Sequence, residues 1–147
     1  MATIEISAIE FPHWKKWANR ERPSRNFDVP VGFGLLGIYV LATSEVDAGL
    51  SAEADRDLNE AVIYIGMSEH VERRLEQRHD AVDAYKQQSG DIAAENLRFT
   101  IWHSGAAKGQ YERKAPVVAA ATIAVYERVL LRQYAEKFGR LPRFNKL

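Results

Sequence analysis

Apolar residues fall into a few stretches whose spacings differ, and the spacing of each predicts its element. Residues 31–43 are dense in Val, Ile, Leu and aromatic side chains, with Gly32, Gly34 and Gly37 early in the run, and read as a strand. Residues 61–67 read as a second strand. Between them, residues 44–60 are acidic, Ala-rich and weakly patterned, which predicts a loop with one helical turn near residues 52–57. Ser68 suits an N-cap, with Glu69 and Glu72 well placed in a first turn. Val71, Leu75 and Val82 then recur at helical spacing until Ser89-Gly90, predicting one helix. Leu97, Phe99 and Ile101 alternate with Arg98, Thr100 and Trp102, predicting a third strand that ends at His103, with a loop over residues 104–114. Pro116 opens a long helix running to about Phe138, where Gly139 and Pro142 stop it.

Upstream, residues 1–30 read as an arm. Pro12, Trp14 and Trp17 suggest a short helix docking two indoles, and Pro23, Ser24 and Pro30 mark an irregular connector. The domain proper is then residues 31–147. Its order is β-β-α-β-α. Two strands joined by a loop pair most simply as an antiparallel hairpin, and a strand returning after a helix completes a small three-stranded sheet that helices must cover. The expected class is α+β: a small antiparallel sheet flanked by helices.

Composition narrows the setting. The chain of 147 residues contains no cysteine, which removes disulfide frameworks and thiolate zinc sites and fits a cytoplasmic setting. The start of the chain lacks the continuous apolar stretch of a signal peptide, and the longest apolar run, residues 115–126, is too short to span a bilayer, so no membrane association is expected. The formal net charge of +0 is unusual for a phosphate-binding surface, but it is unevenly distributed. Lys15, Lys16, Arg20, Arg22 and Arg25 crowd the arm, and Arg128, Arg132, Lys137, Arg140, Arg143 and Lys146 crowd the C-terminus. The balancing acids concentrate in residues 45–60. Basic ends around an acidic loop would make a polarised molecule.

Glu127 stands out on physical grounds. On a helix it shares a face with Ile123, Leu130, Leu131 and Tyr134. A carboxylate on such a stripe must be protonated, paired with an arginine or bound to a cation, because burying it bare costs several kcal/mol. Arg74 flanks the Val71–Leu75 stripe with Arg78 one turn on, so either solvates the helix or reaches over the sheet edge. Tyr39 and Tyr64 lie on neighbouring strands, where packing is the ordinary role of a tyrosine. Gly37 and Gly66 mark places where a side chain would block close approach. His79 follows Arg74 by five positions, which on a continuous helix turns it about 140° away, toward Leu75 and Val82, and predicts a packed histidine as readily as a catalytic one. His103 is a second candidate for proton transfer, and equally a surface residue at a strand end.

Gly37-Ile38-Tyr39, Tyr64-Ile65-Gly66, Arg74, Glu127 and Asn145 in Leu-Pro-Arg-Phe-Asn, taken in that order, resemble the GIY-YIG nuclease family over residues 31–145. The resemblance implies the same sheet-and-helix architecture and a metal-dependent endonuclease acting on DNA, with RNA left open. It implies Mg2+ or Mn2+ held by Glu127, Arg74 on the phosphate, a water activated at Tyr39 and held or polarised at Tyr64, and 5′-phosphate and 3′-hydroxyl products. Gly37, Gly66 and Asn145 are implied as structural residues of the site. Arg78, Arg140, Arg143 and Lys146 are the basic residues expected to meet nucleic acid. The family often carries its histidine four residues beyond the arginine, where this chain has Arg78 and places His79 next. That shift supports a rival reading, a binding module without turnover. The neutral charge supports another, in which a protein partner or a second copy of the chain completes the activity.

Overall fold

A computed structural model describes residues 14–20, 35–47, 59–107 and 115–146. The expected helical turn near residues 52–57 lies outside them, as do Gly32, Gly34 and the connector prolines. The strands are β1 (Lys15–Lys16), β2 (Leu35–Ala42), β3 (Val62–Ser68) and β4 (Arg98–Ala107). The helices are α1 (Val71–Glu76), α2 (Asp80–Ser89), α3 (Asp91–Glu95) and α4 (Ala115–Phe138), with single 3-10 turns at Trp17–Asn19 and Ser44–Asp47.

The class is mixed α and β, as expected, but the sheet has four strands in the order β1-β4-β2-β3, all antiparallel, where three were expected. The extra strand comes from the arm. Lys15 and Lys16 extend beside Phe99 and Arg98, a pairing too short and too polar to leave an alternating pattern. Its extended backbone also separates the indoles. Positions three apart in an extended chain point to opposite sides, so Trp14 packs with the cluster beneath α4 while Trp17 enters the cluster beneath α1 and α2. β4 runs on through residues 104–107, which had read as loop.

The single helix expected between Ser68 and Gly90 is two, α1 and α2, and the short α3 follows where none was expected. α1 ends at Glu76, Gln77 is extended, and α2 starts afresh with His79 as its N-cap and Asp80 and Asp83 in its first turn. Ser68 also serves differently from expectation: its hydroxyl accepts the amide of His70, the residue that caps α1 by position.

Alternation along β2, and along β3 apart from a register irregularity opposite Leu41 and Ala42, builds two cores. Ile38, Val40, Ala42, Val62 and Ile65 face α4, which presents Ile123, Leu130, Leu131 and Tyr134 at helical spacing. Tyr39, Leu41 and Ile63 face the other way, onto Val71, Leu75 and Ala81, with Phe99, Ile101 and Trp17. The Tyr134 hydroxyl donates to the carbonyls of Glu60 and Val62, 3.2 and 3.3 Å away, tying α4 to the start of β3.

Candidate active site

β3 is an outer strand, so the outward peptide groups of residues 63, 65 and 67 need partners that a neighbouring strand would otherwise supply. The C-terminal segment and α4 provide them. Phe144 donates its amide to the Ile63 carbonyl at 3.0 Å. The Asn145 side chain accepts from the Ile65 amide at 2.9 Å and donates to the Ile65 carbonyl at 2.8 Å, so one amide group replaces a strand residue. The Glu127 carboxylate accepts the Met67 amide. Asn145 thus tethers the C-terminal segment to the edge of β3.

This edge forms one wall of a cavity of about 380 Å³, lined by Tyr64, Ile65, Arg74, His79, Asp80, Ala81, Glu127, Arg128, Leu131, Phe144, Asn145 and Lys146. Residues from β3, the α1–α2 junction, α4 and the C-terminal segment therefore meet in one depression. Tyr64, Arg74, His79, Glu127, Asn145 and Lys146 among the sequence candidates are brought together there.

Tyr39 stands behind them, 2% exposed. It pairs with Gly66 across β2 and β3, which puts its side chain on the face of Tyr64. Their rings stack with centroids 5.8 Å apart, and the His79 ring meets both edge-on, at 5.5 Å from Tyr39 and 4.8 Å from Tyr64. Gly66 is what lets the rings sit so close. A Cβ there would lie 2.6 Å from Tyr64 Cε1 and 2.7 Å from Tyr39 Oη. Gly37 lies two positions before Tyr39 and pairs with Ser68 and His103, at the same end of the sheet.

His79 reaches the site because the helix breaks before it. The rotation argued for a continuous helix does not apply once Gln77 is extended, and the imidazole turns inward to 3% exposure. Its two ring nitrogens have fixed partners. Nδ1 accepts the Ala81 amide at 3.1 Å, so in the neutral ring the proton sits on Nε2, which donates to Tyr39 Oη at 2.9 Å. Burial first, then the nearby Arg74 guanidinium, lowers the His79 pKa to about 4, so the neutral ring persists at pH 7. Burial, then Tyr64, raises the Tyr39 pKa, while Arg74 opposes both. Tyr39 therefore keeps its proton, and the phenol facing the cavity is Tyr64. The water-activating role that the resemblance implies for Tyr39 meets a hydroxyl covered by neighbouring rings.

Arg74 is anchored by its Nη1, which donates to the Arg78 carbonyl at 3.1 Å, and its Cζ lies 6.0 Å over the Tyr39 ring. Arg78 itself points away. It is exposed, ion-paired with Asp83, and does not line the cavity. Arg140 and Arg143 line a different hollow with Glu45 and Glu60, and Arg140 Nη2 is 3.7 Å from Glu60. His103 lies in β4 opposite Gly37. Asp80 and Arg128, not singled out from sequence, join the cavity wall. Asp80 carried no signal in the sequence, because the helix start that places it is itself not legible there.

Glu127 is part-buried on the expected stripe, and burial raises its pKa against the pull of Arg128 and the Met67 amide. No group of three His, Cys, Asp or Glu side chains that could hold a metal occurs among the described residues. An ion here would rest on one carboxylate, with water and substrate oxygens completing its shell, which is the coordination Mg2+ favours. A carboxylate already penalised by burial, opening on a cavity with room for several waters, fits that demand. No helix among the described residues is long and apolar enough to cross a membrane. No protein-family model, curated protein or solved structure matches this chain.

Proposed function

We propose that the chain is a GIY-YIG-type endonuclease that hydrolyses DNA phosphodiester bonds with Mg2+ or Mn2+ held at Glu127. One observation carries this reading. Tyr64, Arg74, His79, Glu127 and Asn145, spread over most of the domain, line one open cavity in the combination that backbone cleavage needs. Arg74 binds the scissile phosphate, and a planar guanidinium with donors beyond its anchor to Arg78 suits the extra charge of the transition state. Glu127 holds the cation. When bound, the ion neutralises phosphate charge and lowers the pKa of its water. Tyr64 orients the attacking water at the cavity wall, while His79, neutral and fixed by Ala81, holds Tyr39 and through it the ring stack.

The test is nicking of supercoiled plasmid with Mg2+ or Mn2+. Wild-type protein is expected to nick, Arg74→Lys to lose about 10²-fold in rate because an ammonium cannot fork onto the phosphate, and Glu127→Gln to be inactive with undiminished melting temperature. A Glu127→Gln protein that unfolds while its folded fraction still nicks would make Glu127 an ion-pair partner instead.

The covered hydroxyl of Tyr39 favours a second reading, a nucleic-acid-binding module without turnover. DNA binding with no nicking under either metal would select it.

A further inference from the structure

We propose that the N-terminal segment Trp17–Arg20 is a positioning element for His79, so that the arm is part of the catalytic scaffold. This rests on the nuclease reading of the cavity. Neither residue lines the cavity, yet together they bridge the two pieces of structure between which His79 is held.

On one side the segment is fastened to β4. Lys15 and Lys16 pair with Phe99 and Arg98, and the Trp17 amide donates to the Leu97 carbonyl at 2.8 Å. On the other side Arg20 Nε donates to the Leu75 carbonyl at 2.9 Å, at the end of α1 just before the helix breaks. Leu75 lies 55 positions away in sequence, so this bond is a long-range tie to the one junction that aims His79. The same guanidinium lies 4.4 Å over the Trp17 ring and donates to the Trp17 carbonyl at 3.2 Å, fixing the indole. The indole, 4% exposed, then meets the His79 ring edge-on at 6.3 Å and Phe99 at 5.9 Å.

The ring of His79 is therefore held by Ala81 at Nδ1, by Tyr39 at Nε2, and by the Tyr64 and Trp17 rings at its flanks. The first two contacts are hydrogen bonds that water could replace. The buried indole closes one flank of the ring against water. Losing it frees the ring to turn and sample both tautomers, and Tyr39 loses its fixed donor. Trp17 and Arg20 touch neither substrate nor metal in this scheme and act only through His79.

The experiment compares wild type, Trp17→Leu, Trp17→Phe and Arg20→Met in the full chain by long-range proton–nitrogen spectra of the histidine rings, with melting curves and nicking kinetics. Wild-type His79 is expected as a single Nε2–H tautomer with a slowly exchanging ring proton. Trp17→Leu should give mixed tautomers, rapid exchange of that proton and a kcat lower by about 10²-fold at unchanged KM. Trp17→Phe should restore both signals, since a ring edge is kept. Arg20→Met should shift the tautomer signal without unfolding, and decides the matter if Trp17→Leu fails to fold. His79 spectra that stay wild-type in Arg20→Met and in folded Trp17→Leu overturn the proposal, whatever the melting temperatures. The ring spectra need no turnover, so a protein that does not nick would sink the nuclease reading while leaving the link between the arm and His79 measured.

Discussion

The imidazole of His79 joins the chemistry of the cavity to the stability of the fold. Its pKa is about 4 in the folded protein against 6.5 when free, so the folded state binds fewer protons than the unfolded state between those values. Stability is complete above about pH 6.5 and falls as pH drops toward 4, by up to about 3 kcal/mol. Glu127, raised by burial, works in the opposite sense and offsets part of the loss. Urea unfolding of wild type and His79→Gln across this range should show the steeper acid loss in wild type, and parallel curves would refute it. Gly66 makes the second prediction at this scale. Since its missing Cβ leaves the space taken by the Tyr64 ring and the Tyr39 hydroxyl, Gly66→Ala should cost about 1–3 kcal/mol in denaturant melts and reduce nicking per folded molecule. Both tyrosines and both glycines were legible as candidates only through the ordered tripeptides Gly37-Ile38-Tyr39 and Tyr64-Ile65-Gly66, since a strand position alone marks a tyrosine for packing. The capping use of His79 was not, since Gln-Arg-His carries no breaker residue and Val82 continues the apolar spacing across the gap.

Among elements, those with strong periodicity were read correctly in kind. β2 and β3 are apolar runs of strand length, and α4 carries a stripe at helical spacing. β1 left no trace because its two lysines are held by backbone pairing, which side-chain pattern does not record. The split of the helix after β3 combines a local cap, His79 on the Ala81 amide, with long-range bonds from the imidazole to Tyr39 and from Arg20 to Leu75, which together outweigh local propensity. The C-terminal segment behaves as an element although it is irregular. Asn145→Ala should cost about 1–3 kcal/mol by leaving the Ile65 amide and carbonyl unpartnered. Asn145→Asp, which keeps the acceptor and loses the donor, should fall between. Hydrogen exchange at the Ile65 amide reports the local opening directly, and unchanged protection in the alanine variant would count against the tether.

For the whole molecule, zero net charge remains the feature that most constrains nucleic-acid binding. Lys146 lines the candidate site, but Arg140 is close to Glu60 and shares its hollow with Glu45 as well as Arg143. Phosphate must compete with those carboxylates. Neutralising Arg140, Arg143 and Lys146 together should weaken DNA binding across sequences and flatten the dependence of log K on log salt by between about one and three contacts. A slope and affinity that do not change would place the nucleic acid elsewhere. The polarity expected from basic ends and an acidic centre is thus blunted at the C-terminus, where acid and base from distant positions in the sequence end up side by side.

The way β3 is closed has a consequence for solubility. Its outer peptide groups are capped by a backbone amide, one side-chain amide and one carboxylate, none of which is part of a strand. If proteolysis removed the last few residues, Ile63 and Ile65 would offer an apolar, hydrogen-bonding template to any extended chain nearby, including a second clipped molecule. The clipped protein should form mixed-size aggregates rich in intermolecular β-structure, and Pro142, rigid just upstream, would not fold back to prevent it.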